Sequence, residues 1–552
     1  MAYSKTGDGY VGANQIYAGR LLNGTVTITS GLYAVQAFDS GAPIGAAPTT
    51  GTITLTGPTT DVTVEDPGNA GFPASINVGR NFSGGTGVGT GYLNILAGAT
   101  LTSINEGYDV GGYIVGGYGN VNIGRGAGSY GKATVSGIGS KLLAYGGAAR
   151  VTVGRDGGTG ELRIENGGFV GTFDLDVGRG GAGTIGRLII DGAGSTFLAS
   201  AAYGFYGTAY AGAQGFLDIG RGTAGKGYLT VSAGGTFTTQ NVDLVSDHPL
   251  LRFGRDNGSY GYGYVSGHDG TYTTYSTINV TQNGPQGDNY NGGAILLVGD
   301  GGQGVLKVAN GGQVNVTGDR ARLIVADGRY VGGVPDNTAY QSHLYIQSGA
   351  DVVVDSQGYG GGDRGAKVFI GSGRDTNGAL TVDGAGSTLT VTSSTNYYGD
   401  YQNSTLTVGR LGTGVLNVSN GGAVSARQLN VGQQAATVDA YTGQTTYTTS
   451  GYLASPDAAG YGTVNIASGG TVTITNSDYT PYQGVRIGRA SSTTGIVNID
   501  GAGSTLTSQG GSGMIRVGRY GTGELNISNG GAVNAFFVDV GRNNGSNGRL
   551  TV

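Results

Sequence analysis

One five-residue pattern, apolar-x-apolar-Gly-Arg, returns ten times along the chain and constrains the fold more than anything else in it. Residues 76–80 read Ile-Asn-Val-Gly-Arg and residues 175–179 read Leu-Asp-Val-Gly-Arg. The copies end at Arg80, Arg125, Arg155, Arg179, Arg221, Arg255, Arg410, Arg489, Arg519 and Arg542. Degenerate copies put Asp300, Ser372 and Gln433 in the arginine's place. A second pattern, Gly-x-Leu-x-Val/Ile, follows after a polar turn, as at 160–164, 227–231, 414–418 and 523–527. A third comes next, either Asn-Gly-Gly-x-Val (310–314, 420–424, 529–533) or Asp-Gly-Ala-Gly-Ser-Thr (191–196, 383–388, 500–505). Gly523 and Gly548 start successive cycles 25 residues apart. Repeats of that length stack one supersecondary unit on the next, because a single unit cannot bury its apolar face alone.

Alternation within each pattern, as in Leu525-Asn526-Ile527, is the period of a half-buried strand, and no helical period competes with it. One cycle therefore reads as three short strands joined by tight corners. The 117 glycines supply those corners, where positive φ or close backbone approach is needed. The expected fold is all-β: a single long right-handed parallel β-solenoid (β-helix) with Tyr/Gly-rich side loops. Residues 71–552 form the repeat rod. Residues 1–70 lack the Gly-Arg pattern and read as irregular N-terminal coils, a cap or assembly segment.

Composition narrows the chemistry. There is no Cys, so disulfide staples, thiolate metal sites and cysteine nucleophiles are excluded. A net charge of −5 without a basic run argues against nucleic-acid binding. No apolar run is long enough for a membrane-spanning helix, so no membrane insertion is expected. The N-terminal residues lack the apolar core of a secretory signal. His248, His268 and His343 are far apart and have no metal-ligand spacing. Of the 35 carboxylates, only Glu65, Glu106, Glu161, Glu165 and Glu524 are glutamates, and most aspartates sit in repeat turns, where Asx turns explain them. No enzyme is expected and no cofactor; calcium in an Asp-rich turn near Asp300 or Asp327 is the one metal with suitable ligands.

The three patterns together resemble the passenger-associated β-strand repeats of autotransporter adhesins, over about residues 76–552. That resemblance implies a right-handed parallel β-helix at the cell surface or outside the cell, with adhesive or matrix-forming activity. The family's terminal outer-membrane barrel has no counterpart here.

Function follows from the chain's ends and side chains. Residues 548–552 read as the first strand of a coil that is not finished, so Leu550, Thr551 and Val552 present an unpaired edge. The strands around Val26, Ile28, Ile53 and Leu55 are candidates to receive it. Such head-to-tail docking generates an open homopolymer, a filament or biofilm-type matrix. The alternative is a monomeric adhesin that binds cell-surface glycans or matrix polysaccharide through its side loops; a phage tail-fibre component is a third reading. Candidate loop contacts are Phe205, Tyr206, Tyr260, Tyr262, Tyr397 and Tyr398, in segments rich in the chain's 34 tyrosines. The ten repeat arginines are expected to bond turn carbonyls or nearby Asp residues and so lock coil to coil.

Overall fold

The computed structural model describes residues 2–552 apart from 8, 12–14, 21, 36, 42–46, 66–74, 82–86, 106–107, 111–112, 116–119, 147–148, 201–202, 204–215, 242–249, 269–273, 283–292, 329, 332–333, 336–340, 358–364, 374, 394–403, 434–459, 476–483 and 511–512. The chain divides into two units. The first comprises Met1–Asp243, Gly254–Gly263 and Gly267–Ile278; the second comprises Leu244–Phe253, Tyr264–Ser266 and Asn279–Val552. Each is a parallel β-solenoid whose coils stack strand on strand in three ladders.

In the first unit, the Gly-x-Leu strands make one ladder: Thr159–Glu165 lies between Tyr130–Ser136 and Ile185–Asp191, all parallel. The strands after the Gly-rich turn make a second, with Phe169–Thr172 between Lys141–Gly146 and Thr196–Ser200. The Gly-Arg strands make a third, with Arg150–Arg155 between Asn120–Arg125 and Asp174–Arg179. The second unit repeats the scheme. Thr413–Ser419 pairs with Asn377–Asp383 and Tyr461–Ala467, and Gly484–Ile487 pairs with Gln428–Val431 and Met514–Val517.

Identical motif positions meet in register. Leu93, Ala133, Leu162, Leu188 and Leu229 form one inward column in the first unit. Leu380, Leu416, Val464, Val497 and Leu525 form its counterpart in the second. All are fully buried, and each Leu contributes about 1.5–3 kcal/mol of transfer free energy. In the second ladder of the first unit, Phe197 stacks on Phe237 with ring centroids 5.1 Å apart.

The corners explain the glycines. Gly154 has φ +71°, and a Cβ there would run into the carbonyl of Ile185 on the following coil. Backbone packs directly on backbone at this corner, so glycine is required twice over. Asn166, Asn310, Asn420 and Asn529 open their turns at φ +50 to +54°, the left-handed region that Asn tolerates. In the Ser-containing version, Ser195 Oγ donates to the Asp191 carbonyl (2.7 Å) and accepts from the Gly167 amide of the previous coil (3.1 Å).

Two placements differ from expectation. The ladders do not change character at residue 70: Thr49–Thr56 already pairs in register with Gly89–Leu96, and Gly24–Val35 pairs with Thr49–Thr56. What is distinct lies earlier, where Ala2–Gly7 runs antiparallel along Gly24–Val35 and Gly9–Val11 folds back on Gln15–Ala18. Residues 260–264 are also no side loop. Tyr260–Ser266 is a strand whose glycines and Val265 face inward while Tyr260, Tyr262 and Tyr264 face out.

Candidate functional site

A strand with one inward face ordinarily wets the other, and the first two ladders obey: buried and half-exposed residues alternate along Thr159–Glu165 and Thr388–Ser393. The third ladder does not. Arg150–Arg155 has four consecutive buried residues, as do Leu250–Phe253 and Met514–Val517. The residue between the two apolar positions points outward and is still buried: Asn77, Asn122, Thr152, Asp176 and Asp218 in the first unit, and Arg252, Thr407, Asn430, Arg486 and Arg516 in the second. Many of these are charged, so this face is where the molecule's electrostatics concentrate.

The repeat arginines flank that row. Arg80, Arg125, Arg155, Arg179 and Arg221 are partners in successive rungs. The Arg255 amide donates to the Gly220 carbonyl of the preceding coil. In the second unit, the amides of Arg410, Arg489 and Arg519 donate likewise to Gly371, Gly432 and Gly488.

Side-chain partners differ along the row. Between Leu175 and Arg255, aspartates interleave the arginines. Asp176 accepts from Arg179 of its own coil (2.9 Å) and from Arg221 of the next (3.1 Å). Asp218 accepts from Arg255 of the following coil (2.7 Å), and Arg221 lies 3.4 Å from it. Arg150 donates to Asp174 (2.8 Å) and reaches Asp176 (3.4 Å). Asp174 also accepts from the Phe216 amide. Burial outweighs these partners and pushes the Asp174 carboxyl up to about 6. Burial acts to lower Arg150, but Asp176 and Asp174 together hold it above its ordinary value. At the first of these rungs, Asp156 serves Arg155 (3.1 Å) and Arg125 (3.7 Å).

The rungs of Gly484–Ile487 and Met514–Val517 place arginine at the outward position instead. Each carries two arginines, Arg486 with Arg489 and Arg516 with Arg519, and neither motif contains a carboxylate. Arg486 stacks on Arg516 in register. Burial, then the charges of Arg489, Arg519 and Arg516, pull the Arg486 guanidinium down to about 9. Arg489 is lowered by burial and by Arg519. Arg519 lies over the ring of half-exposed Tyr520, 5.1 Å from its centroid. Arg542, one coil on, has Asp539 at 3.3 Å.

Other candidate positions fall as follows. Val26, Ile28, Ile53 and Leu55 are fully buried. Gly24–Val35, which carries the first two, has Thr49–Thr56 on one edge and Ala2–Gly7 on the other, so neither edge there is open to a docking strand. Leu550 pairs with Leu525 at the chain's last rung and is 42% exposed; Val552 is also exposed. Tyr260 and Tyr262 gather around Tyr228, with centroids 6.0 and 6.4 Å away, and Arg187 lies 5.5 Å from the Tyr228 ring. Phe205, Tyr206, Tyr397 and Tyr398 lie outside the described residues, as does His248. His343 stacks on Tyr345 at 3.7 Å and shares a hydrogen bond with Thr381; burial pulls it down to about 4. Asp300 is 3.5 Å from Arg252 and in register with Asp327. Among the described residues, no three His, Asp or Glu side chains gather closely enough to hold a metal ion.

The outward buried row was the feature that sequence reasoning missed. Its only trace is the middle residue of the Gly-Arg motif, which is polar or charged in every copy: Asn, Thr or Asp at seven positions and Arg at 252, 486 and 516.

No family profile matches the sequence, and no curated protein matches it. Among solved structures, the chain is similar to a hyper-glycosylated TibA fragment spanning residues 55–350 of that protein, whose glycosylation is catalysed by TibC. The two share 12% identity with a TM-score of 0.32; the match covers 84% of this chain and 92% of that one.

Proposed function

We propose that this chain is a non-enzymatic structural protein of the cell surface or extracellular space that assembles with copies of itself by strand-edge docking. The observation that carries this reading is the coil-to-coil register of the inner apolar positions, maintained through Phe537–Val540 and Asn547–Thr551. Val538, Val540 and Leu550 continue columns whose members one coil earlier, Ile515, Val517 and Leu525, are fully buried. Identical apolar positions in register from coil to coil make a geometry that accepts a further coil of the same pattern.

Negative-stain electron microscopy of the full-length protein across a concentration series tests this. Unbranched fibres that disappear in a Val540→Lys/Leu550→Lys variant with unchanged circular dichroism are the expected result. Isolated particles at every concentration overturn it. In that case the second reading gains, a surface that binds glycans, favoured by the outward cluster of Tyr228, Tyr260, Tyr262 and Arg187.

A further inference from the structure

The outer face of the first ladder carries an aromatic group that strand docking does not use. Tyr228 stands on Lys226–Ser232, and Tyr260 and Tyr262 stand on the next strand of that ladder, Tyr260–Ser266. Glycines and aliphatic residues take the inward positions of both strands, so alternation turns all three rings outward, where each is half-exposed. The Tyr228 ring centroid lies 6.0 Å from that of Tyr260 and 6.4 Å from that of Tyr262, with the planes tilted by 59° and 51°. Arg187, in register with Tyr228 on the preceding coil, lies 5.5 Å from the Tyr228 ring and holds it from the other side. Burial, and then the hydroxyls of Tyr228 and Tyr262, raise the Tyr260 phenol above its ordinary value, so the three polar ends are close as well as the rings. All four residues belong to the first unit. Tyr228 is 32 residues from Tyr260 in sequence and 34 from Tyr262.

We propose that Tyr228 is a cross-linking site, joined to Tyr260 or Tyr262 as dityrosine by hydrogen peroxide acting through a haem peroxidase, so that two coils are stapled covalently. Each phenol gives up one hydrogen atom, a proton with an electron, to the oxidant. The two phenoxyl radicals join through the ring carbons beside oxygen, and the hydrogens on those carbons shift to the oxygens. Two hydrogen atoms leave the protein and one peroxide becomes two waters. Solvent-facing side chains change rotamer in picoseconds to nanoseconds, so rings held this close meet readily, and their tethering favours them over partners that must diffuse together. The chain has no Cys, so a disulfide cannot do this work. A link across 32 or 34 residues restricts the unfolded chain as a disulfide does.

Treating the full chain with hydrogen peroxide and a haem peroxidase tests the site. Size exclusion in denaturant isolates the covalently single-chain fraction, and peptide mapping by mass spectrometry locates the links. The expected product is two hydrogens lighter and joins the segment carrying Tyr228 to the segment carrying Tyr260 and Tyr262. Tyr228→Phe should abolish that link. Hydrogen exchange in Lys226–Ser232 and Tyr260–Ser266 should slow by about tenfold or more in the linked chain. Should Tyr228→Phe lose its circular dichroism signal, Tyr260→Phe/Tyr262→Phe removes the same link from the other coil. Absence of the link from the single-chain fraction, its persistence in a folded Tyr228→Phe protein, or exchange unchanged by it overturns the proposal. The link lies within one chain and is read whether or not chains assemble, so its failure and that of strand docking are distinct results.

Discussion

The coils around Asp176 and those around Arg486 share one backbone plan and solve its electrostatic problem in opposite ways. Both have a buried outward residue flanked by the Gly-Arg arginine. In the first, the outward residue is an aspartate that bridges arginines of two coils, so the charges fasten one rung to the next. In the second it is another arginine, and the charges push against each other. A solenoid's inner columns can be uniform while its outer face varies from rung to rung. The same outward position can thus carry a carboxylate that bridges two coils or a guanidinium, with no change in the inner columns.

The contrast breaks most decisively by deleting charge. Asp218→Ala leaves half-buried Arg221 and Arg255 with less compensation, so the 175–255 coils should lose about 2–4 kcal/mol. Arg486→Met relieves the repulsion from Arg489, Arg519 and Arg516 while giving up Arg486's own contacts, so it should cost less than Asp218→Ala. Hydrogen exchange resolved by coil distinguishes the two, because repeat proteins open locally. Equal losses at both sites would show that the rows are alike after all.

Asp174 sharpens the comparison through pH. Its carboxyl is raised in the fold to about 6 from an ordinary value of 3.8. The protonated form is the favoured one, so this group's stabilising contribution is complete below about pH 4 and is lost as pH rises through 6. Relative to Asp174→Asn, the wild type should therefore lose about 3 kcal/mol between pH 4 and pH 7. Denaturation of both proteins at several pH values measures it, and a constant difference would mean that Arg150 fully compensates the burial.

The smallest effect concerns a neutral ladder in the second unit. Asn465 donates to Asn417, Asn498 to Asn465 and Asn526 to Asn498, at 2.9–3.0 Å. Asn498→Ala removes two of these half-exposed bonds and should cost about 1 kcal/mol, measured by the same exchange experiment. In the first unit the corresponding positions run Asn94, Thr134, Arg163 and Ile189, and no such chain forms.

Much of the fold was legible because strand pairing here repeats a local pattern. Leu162 and Leu188 each sit two residues after the glycine that begins their motif, so period-2 alternation places both on the inner face. The Gly-Arg corner was legible for the same reason: Gly154 must adopt a backbone that few residues tolerate. The tyrosines at 260–264 misled, since alternating Gly and Tyr has the composition of a loop. In the structure those glycines take inward positions, and Gly220 abuts the Tyr260–Gly261 peptide, where a side chain on Gly220 would collide. The antiparallel return of Ala2–Gly7 was not legible either, because nothing in those residues sets strand direction.

The sequence by itself determined which residues are strand, which face inward and which corners need glycine, since each depends on neighbours a few positions away. Only the tertiary structure decided which outward side chains are buried and which charges meet. Asp176 and Arg221 are 45 residues apart, Asp218 and Arg255 are 37. Insertions of unequal length separate the coils, so sequence distance carries no constant relation to the vertical neighbour. Stacking alone turns a recurring arginine into a fastening at one level and a concentration of positive charge at another.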